Sequence, residues 1–251
     1  MKKALVLSSG GVDSTTCVAL AMSLGKENVS TVSVSYGQRH SKELECADKI
    51  AKYYGVNHYV LDLSNVLQYS NCSLLAHSTE EVPEMSYAEQ IEKNGEGRVS
   101  TYVPFRNGLM LSAVAALAQS IYPEDDVDIY LGAHADDAAG RAYADCSEEF
   151  TSAMNTAIVI GTYGKVRVVA PLVNMNKAEV VKTGLALSTP YQLTTSCYNG
   201  GEKACGIHCA TCIDRVAAFK ANGVIDPIQY AAAIDWTGCE PSNLLKDIKN
   251  D

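Results

Sequence analysis

The chain has 251 residues, of which 47% are hydrophobic and 20% are charged, with 20 basic side chains against 29 acidic ones. This length can bury a hydrophobic core without disulfide bonds, and it allows one or two domains. The net charge of −9 argues against direct binding to nucleic acid, because neutralising its phosphates takes clustered Lys and Arg. Nine cysteines are too few for a disulfide scaffold of this length, and no apolar run is long enough for a membrane helix. We expect a cytoplasmic protein that does not enter a membrane.

Short apolar segments alternate with helical patterns along most of the chain. We predict strands at residues 4–7, 29–36, 58–63, 127–134 and 166–170. We predict helices at residues 12–24, 43–54, 107–122, 150–160, 176–187 and 211–222. Strands that alternate with helices form parallel βαβ units, so the expected fold class is α/β, with an open, parallel, twisted sheet and helices on both faces. Ligands bind such a sheet beyond the carboxyl ends of its strands.

Two stretches depart from this alternation. Residues 64–98 have no clear period, and we predict that they form an insertion loop beside a functional site. From Tyr191 onward the chain is rich in Gly and Cys before its last predicted helix. We therefore predict an α/β domain at residues 1–190 and a small C-terminal helical appendage at residues 191–251.

The strongest local signal is a glycine- and serine-rich segment between the first predicted strand and the first predicted helix. In that position, backbone N–H groups and the helix dipole bind anions. Adjacent glycines allow a tight turn and a close approach of backbone to phosphate. We predict that this segment binds a nucleotide phosphate through Leu7, Ser8, Ser9, Gly10, Gly11, Val12, Asp13, Ser14 and Thr15.

Four of the nine cysteines lie close together near the C-terminus. They are Cys197, Cys205, Cys209 and Cys212, and the last two form a Cys-x-x-Cys pair before a predicted helix. Four thiolates close the tetrahedral shell of zinc, so we predict a structural zinc site in the C-terminal appendage. His208 is an alternative fourth ligand, and a redox-active Cys-x-x-Cys pair is an alternative to the metal site.

The glycine- and serine-rich segment resembles the PP-loop of the N-type ATP pyrophosphatases, and it lacks the lysine of a Walker loop. The resemblance implies an adenine nucleotide alpha hydrolase-like fold and the cleavage of ATP, with Mg²⁺, between its α- and β-phosphates. Lys177 matches a lysine that these enzymes place on the departing phosphates. The resemblance thus implies catalytic roles for Asp13, Ser14 and Lys177.

The wider pattern resembles the 7-cyano-7-deazaguanine synthase (QueC) family over roughly residues 3–232. The matching segments are SSGGVDS (8–14), YGQRH (36–40), YVPFRN (102–107), ADC (144–146), SCY (196–198) and CIDR (212–215). The chain departs from the family pattern in the longer spacing between Cys205 and Cys209, in Ala144, and in the His- and Asp-rich stretch 132–137. The last two departures leave a paralogue open, one that stops at an amide or couples the activated carboxylate to another amine, including one on a protein. A tRNA thiolation enzyme and a zinc-ribbon protein with an inactive nucleotide fold are weaker alternatives.

The resemblance implies an ATP-dependent ligase that converts 7-carboxy-7-deazaguanine and ammonia to 7-cyano-7-deazaguanine, with release of AMP and pyrophosphate. With no glutaminase half visible, free ammonia is the expected nitrogen donor, and we expect a homodimer. Arg106 is a candidate clamp for a phosphate or carboxylate, because its guanidinium fork suits either anion. Asp145 is a candidate for binding the guanine-like edge, with a structural role at a helix N-terminus as the alternative. The other residues predicted to bind substrate are Tyr36, Gln38, Arg39, His40 and Asn107.

Overall fold

The computed structural model describes residues 1–94, 99–139 and 142–242. Its main sheet has five strands in the order β3-β2-β1-β4-β5, and every neighbouring pair is parallel. The strands are β1 (Lys2–Leu7), β2 (Val29–Ser35), β3 (Asn57–Asp62), β4 (Asp126–Tyr130) and β5 (Val166–Val169). The predicted α/β class with an open parallel sheet is therefore confirmed.

Helices connect and flank these strands. In chain order, the α-helices of the described residues are α1 (Val12–Ala21), α2 (Lys42–Tyr54), α3 (Ser64–Leu67), α4 (Tyr87–Asn94), α5 (Arg106–Ile121), α6 (Ala135–Ala138), α7 (Glu148–Gly161), α8 (Lys177–Ala186) and α9 (Ala210–Ala221). Every helix predicted from the sequence is present, with ends that differ by at most three residues. No helix within the described ranges is long and apolar enough to cross a membrane.

Each face of the sheet carries its own hydrophobic core. Alternate residues of a strand point to opposite faces, and β1 is buried on both. Leu5 and Leu7 pack in the core that includes α5 and α7, whereas Ala4 and Val6 pack in the core that includes α1 and α8. This two-sided burial explains the continuous apolar run of the central strand.

The predicted fourth strand continues to residue 134, but β4 ends at Tyr130. The register pairs Val6 of β1 with Tyr130, and β1 leaves the sheet one residue later. Residues 131–134 extend beyond the last pairing with β1. They lie next to the first turn of α1, where a Cβ on Gly132 would lie 3.0 Å from the backbone nitrogen of Ser14.

The predicted insertion loop at residues 64–98 contains two short helices, α3 and α4, so that prediction was wrong in part. A capping box explains α4. The carboxylate of Glu89 accepts hydrogen bonds from the Ser86 backbone N–H (2.7 Å) and hydroxyl (2.8 Å), and the Ser86 hydroxyl accepts one from the Glu89 backbone. The sequence Ser86-x-x-Glu89 carries this signal. Residues 95–98 of the predicted loop lie outside the described residues.

The C-terminal segment packs on the same core as α1 and α8. Tyr191 and Phe219, both fully buried, belong to that core, and their rings lie 5.6 Å apart. Beyond α9, two short strands, β6 (Val224–Ile225) and β7 (Glu240–Pro241), pair in parallel. Arg215 of α9 donates two hydrogen bonds to the carboxylate of Asp226 (2.6 and 3.0 Å), and both side chains are fully buried. This ion pair ties α9 to the chain that follows it.

Candidate active site

A cavity of about 210 Å³ lies beyond the carboxyl ends of β1, β2 and β4. The residues that follow these strands form its floor, the first residues of α5 form one wall, and the segment 195–198 forms another. The cavity therefore lies at the sheet edge where the sequence predicts a ligand site. It brings together predicted residues from four separate parts of the chain, namely Ser9, Asp13, Ser14, Tyr36, Gln38, Arg106, Asn107 and Lys177.

The loop between β1 and α1 forms one end of the cavity. Gly10 has a left-handed φ of 75°, and a Cβ there would lie 2.4 Å from the carbonyl oxygen of Glu43, so only glycine fits. The hydroxyl of Ser14 accepts a hydrogen bond from the Ser9 backbone N–H (3.2 Å). No described side chain caps α1, whose first-turn N–H groups are left to bind an anion. We call this loop, with Lys177 beside it, the phosphate end.

An ion pair orients the charged groups of the phosphate end. Lys177 is the first residue of α8, which begins with the predicted capping box of Asn176 and Glu179. Its ammonium donates to both oxygens of Asp13, at 2.7 and 2.6 Å. The Nε2 atom of His134 lies 3.3 Å from the Asp137 carboxylate and 3.8 Å from that of Asp13. The Lys177 ammonium, the His134 imidazole and the two carboxylates thus meet where the loop joins the cavity.

Burial and charge act differently on the two carboxylates. Burial tends to raise the pKa of Asp13, but the charges of Lys177 and His134 and the hydrogen bond from Lys177 hold it below 3.8. Burial raises the pKa of Asp137 against the opposing charges of His134 and Lys177. Asp13 therefore carries the charge that balances Lys177. Asp137, which lines the cavity, has the imidazole of His134 as its neighbour at 3.3 Å.

Another part of the cavity, lined by Tyr36, Glu43 and Arg106, contains a second cation, and we call this part the ring end. The guanidinium of Arg106 lies over the ring of Tyr36, 5.4 Å from its centroid, and donates a 3.3 Å hydrogen bond to the tyrosine hydroxyl. Arg106 forms no salt bridge within the described ranges. Glu43 of α2 also lines this part of the cavity. A negatively charged group on a ligand would thus find Arg106 free of a bonded carboxylate.

The start of α5, where Arg106 lies, is held by Asp145. The carboxylate of Asp145 accepts a hydrogen bond from the Asn107 backbone N–H (2.9 Å), and the Asn107 amide donates to the Asp145 carbonyl (3.0 Å). Asp145 is only 4% exposed and does not line the cavity, whereas its neighbour Cys146 does. The structure thus places the Asp145 carboxylate at the N-terminus of α5, and not at the N-terminus of the helix that follows Asp145 in sequence.

The predicted residues Arg39 and His40 lie apart from the main cavity. Both line a much smaller neighbouring hollow, and the Arg39 guanidinium donates to the carbonyls of Ser78 (3.2 Å) and Glu80. Gln38 lines both cavities, and its side-chain oxygen accepts a hydrogen bond from the Tyr36 backbone (2.8 Å). The hydrogen bonds of Arg39 therefore hold the loop 78–80 beside the segment 36–40.

Sequence analysis missed several cavity residues. Tyr198 lines the cavity and hydrogen-bonds through its hydroxyl to Tyr87 of α4 (3.1 Å), which bonds to Tyr143 in turn (3.1 Å). This row of hydroxyls joins α4 to the cavity wall, and a tyrosine inside the motif SCY was the available signal. Glu43, three residues after the motif YGQRH, was also missed.

The four predicted cysteines meet in one buried cluster. Their sulfur atoms all lie within 4.8 Å of one another, and none forms a disulfide. Zinc–sulfur bonds of about 2.3 Å in a tetrahedron place sulfur atoms about 3.8 Å apart, so these positions fit one zinc ion. The alternative ligand His208 is half exposed and lies 3.7 Å from Glu84. The longer Cys205–Cys209 spacing is accommodated by Gly206, whose φ is 87°.

The cysteine cluster is continuous with a wall of the cavity. The hydroxyl of Thr211 donates to the carbonyl of Ser196 (2.6 Å) and lies 3.4 Å from the sulfur of Cys209. Thr211, Ser196 and Tyr198 all line the cavity, and Cys197 lies between the last two in sequence. A metal held by the cysteines would thus fix this wall.

The parallel sheet, the glycine- and serine-rich loop after its central strand and the lysine on α8 define an α/β nucleotide-binding protein of the PP-loop type. The chain belongs to the family described as "Queuosine biosynthesis protein QueC", whose family model matches residues 3–223. This finding confirms the family resemblance seen in the sequence.

Curated relatives cover almost the whole chain. The chain is 42% identical over 233 residues to the 7-cyano-7-deazaguanine synthase of Thermoplasma acidophilum. The alignment covers 91% of this chain and 92% of that protein. It is 41% identical over 234 residues to the protein of the same name from Caldicellulosiruptor saccharolyticus, and the alignment covers 93% of this chain and 98% of that protein. The corresponding protein of Oceanobacillus iheyensis is 42% identical over 232 residues, with 91% and 98% covered.

Proposed function

We propose that this chain is an ATP-dependent carbon–nitrogen ligase that converts 7-carboxy-7-deazaguanine and ammonia to 7-cyano-7-deazaguanine. The observation that carries the proposal is that two cationic side chains, Lys177 beside the loop and Arg106, line one cavity. One suits the phosphates of ATP, and the other suits a substrate carboxylate. The names of the relatives support the same activity.

The proposed reaction has two activations, because a carboxylate is a poor electrophile. The substrate carboxylate attacks the α-phosphorus of ATP, the bond to the β-phosphate breaks, and pyrophosphate leaves. Ammonia then attacks the acyl carbon, AMP leaves, and a proton is lost, which gives the amide. The amide oxygen attacks a second ATP in the same way. Loss of AMP and of both N–H protons leaves the nitrile.

The protein contributes positioning and charge stabilisation in this scheme. The N–H groups of the loop and the hydroxyls of Ser9 and Ser14 would hold the β- and γ-phosphates. Lys177 would stabilise the charge that develops on pyrophosphate as it leaves. Asp13 acts on Lys177, since its hydrogen bonds hold the ammonium at the edge of the cavity.

Two metal ions belong to the proposal. Mg²⁺ supplies charge neutralisation on the phosphates when ATP is bound, and the cavity-lining carboxylate of Asp137 fits it, since oxygen donors suit this ion. Asp136 is less suited to bind Mg²⁺, because its carboxylate already accepts a hydrogen bond from the Lys177 backbone N–H (2.7 Å). The four thiolates of the cysteine cluster fit a structural zinc, which takes no part in the chemistry.

A product assay tests the proposal. The purified protein is incubated with ATP and 7-carboxy-7-deazaguanine, with and without ammonium, and the products are identified by mass. We expect AMP, pyrophosphate and the nitrile only when ammonium is present, with the amide as a transient species. Release of AMP with the amide as the final product, or with a conjugate to another amine, would instead support the paralogue.

Loop variants test the assignment of the phosphate end. Asp13→Ala and Ser14→Ala should each abolish substrate-dependent exchange of pyrophosphate into ATP, a measurement that does not need ammonia. Ser23→Ala is the matched control, because Ser23 follows the same helix but is exposed and far from the cavity. Pyrophosphate exchange that survives both loop substitutions would contradict the assignment.

A further inference from the structure

Glu43 is a carboxylate in the cavity for which the proposed reaction has no assigned role. It lies in the first turn of α2 and lines both the main cavity and the adjoining hollow. Burial raises its pKa, and the positive charge of Arg106 is the opposing influence. Its carboxylate accepts no hydrogen bond from any residue in the described ranges. A partly buried carboxylate of this kind has its full capacity to accept hydrogen bonds from a ligand.

The location of Glu43 is rigid. Its carbonyl oxygen packs so closely against the phosphate loop that a Cβ on Gly10 would come within 2.4 Å of it. The following turns of α2 are anchored by Ala47 and Ile50, which are fully buried. The backbone that presents Glu43 is therefore fixed relative to the bound phosphates, as a group that determines specificity must be.

The charge of Glu43 indicates which part of a ligand it can face. Phosphates would be repelled by it, and they have their own site at the phosphate end. Arg106, which lies in the same part of the cavity, is the positive charge that acts on the Glu43 carboxylate. Its partner is therefore a ligand edge that donates hydrogen bonds. A ring N–H beside an exocyclic amine matches a carboxylate with two parallel hydrogen bonds.

We propose that Glu43 binds the N–H edge of the aminopyrimidinone ring of the substrate, while Arg106 binds the carboxylate on its other side. This inference rests on the proposed function, because it takes its substrate from there. Asp145, the carboxylate that the sequence analysis assigned to this edge, is engaged with the Asn107 backbone and does not line the cavity. Glu43, in contrast, lines the cavity together with Arg106.

A substrate analogue isolates this contact. Binding of 7-carboxy-7-deazaguanine and of its analogue without the exocyclic amine is measured by calorimetry for the native protein, Glu43→Gln and Asp145→Asn. A hydrogen bond to a charged group is worth a factor of about ten or more, so the native protein should bind the parent compound at least about tenfold more tightly than the analogue. In Glu43→Gln this ratio should fall below about threefold, since one acceptor oxygen is lost.

Controls separate specificity from folding. Glu45→Gln changes an exposed glutamate two residues away on the same helix and should keep the native ratio. Asp145→Asn should lower the melting temperature and keep the ratio as well. If Glu43→Gln does not fold, Glu43→Asp is tested instead. This variant keeps the carboxylate but moves it away from the ligand, because its side chain is shorter. It should weaken binding of the parent compound more than binding of the analogue.

The outcomes are distinct. A native ratio retained in folded Glu43→Gln would overturn the role of Glu43 and leave the proposed function intact. A ratio lost in Asp145→Asn but not in Glu43→Gln would transfer the role to Asp145. If the native protein binds neither compound, the proposed function fails, and the assignment of Glu43 fails with it.

Discussion

The two ends of the cavity hold their charges in different ways. At the phosphate end, Lys177 is bonded to both oxygens of Asp13, and His134 lies close to two carboxylates. At the ring end, Arg106 lies over an aromatic ring without a salt bridge among the described residues, and Glu43 has no hydrogen bond there. A phosphate must therefore share Lys177 with Asp13, whereas a substrate meets charged groups that have no competing ionic partner. The first arrangement favours fixed geometry, and the second favours selective binding.

The largest effect is expected from the cysteine cluster, because Ser196, Tyr198 and Thr211, which lie next to the cluster, form a wall of the cavity. Cys209→Ser or Cys212→Ser should remove zinc and lower the melting temperature by more than about 10 °C, since structural zinc contributes folding free energy directly. Activity toward both ATP and substrate should fall together. Metal content by mass spectrometry and thermal unfolding measure these effects.

Cys239→Ser is the matched control for the cysteine variants, because Cys239 is a free cysteine outside the cluster. It should keep one zinc per chain and the native melting temperature. A native protein without bound zinc, or a Cys212→Ser variant as stable as the native protein, would contradict the role of the cluster.

Substitution of Lys177 should impair the function of the phosphate end and leave the ring end unaffected. Lys177→Met should lower kcat/KM for ATP by about 10²–10³-fold, the usual cost of removing a group that stabilises transition-state charge. The rate of pyrophosphate exchange measures it. Lys182→Met, an exposed lysine on the same helix, should leave the rate unchanged. Equal rates for native protein and Lys177→Met would place the departing phosphates elsewhere.

Substitution of Arg106 should impair substrate binding at the ring end and have a smaller effect on the phosphate end. Arg106→Gln should raise KM for 7-carboxy-7-deazaguanine by about 10–100-fold through the loss of charge-assisted hydrogen bonds, with a smaller effect on KM for ATP. The exposed Arg167 supplies the control Arg167→Gln. An Arg106→Gln variant in which only KM for ATP rises would show that the two ends are assigned the wrong way round.

Sequence patterns predicted the groups of the phosphate end better than those of the ring end. Ser9, Asp13 and Ser14 lie in one continuous segment, so a motif contains nearly the whole site. The ring end combines Tyr36 after β2 with Glu43 of α2 and Arg106 of α5, and only packing brings these elements together. The role of Asp145 depends on a hydrogen bond to a backbone N–H 38 residues away, which residue identity does not encode.

The ion pair of the phosphate end also predicts a difference in pH dependence. The charges of Lys177 and His134 hold the pKa of Asp13 below 3.8, so this carboxylate stabilises the native fold above that pH and loses its contribution as the pH falls further. In Lys177→Met, burial dominates and raises the pKa of Asp13. The variant should then lose stability relative to the native protein as the pH rises from about 4 to 7, by about 1 kcal/mol for each unit of pKa increase.

Urea unfolding of the two proteins across that pH range measures the difference. Any loss of stability that comes from the cysteine cluster at low pH affects both proteins and cancels in the comparison. The double variant Asp13→Asn with Lys177→Met lacks the carboxylate, so its stability should follow the native pH profile. If Lys177→Met alone also follows that profile, the lysine does not balance the charge of Asp13. The phosphate end would then resemble the ring end in having charged groups without a bonded ionic partner.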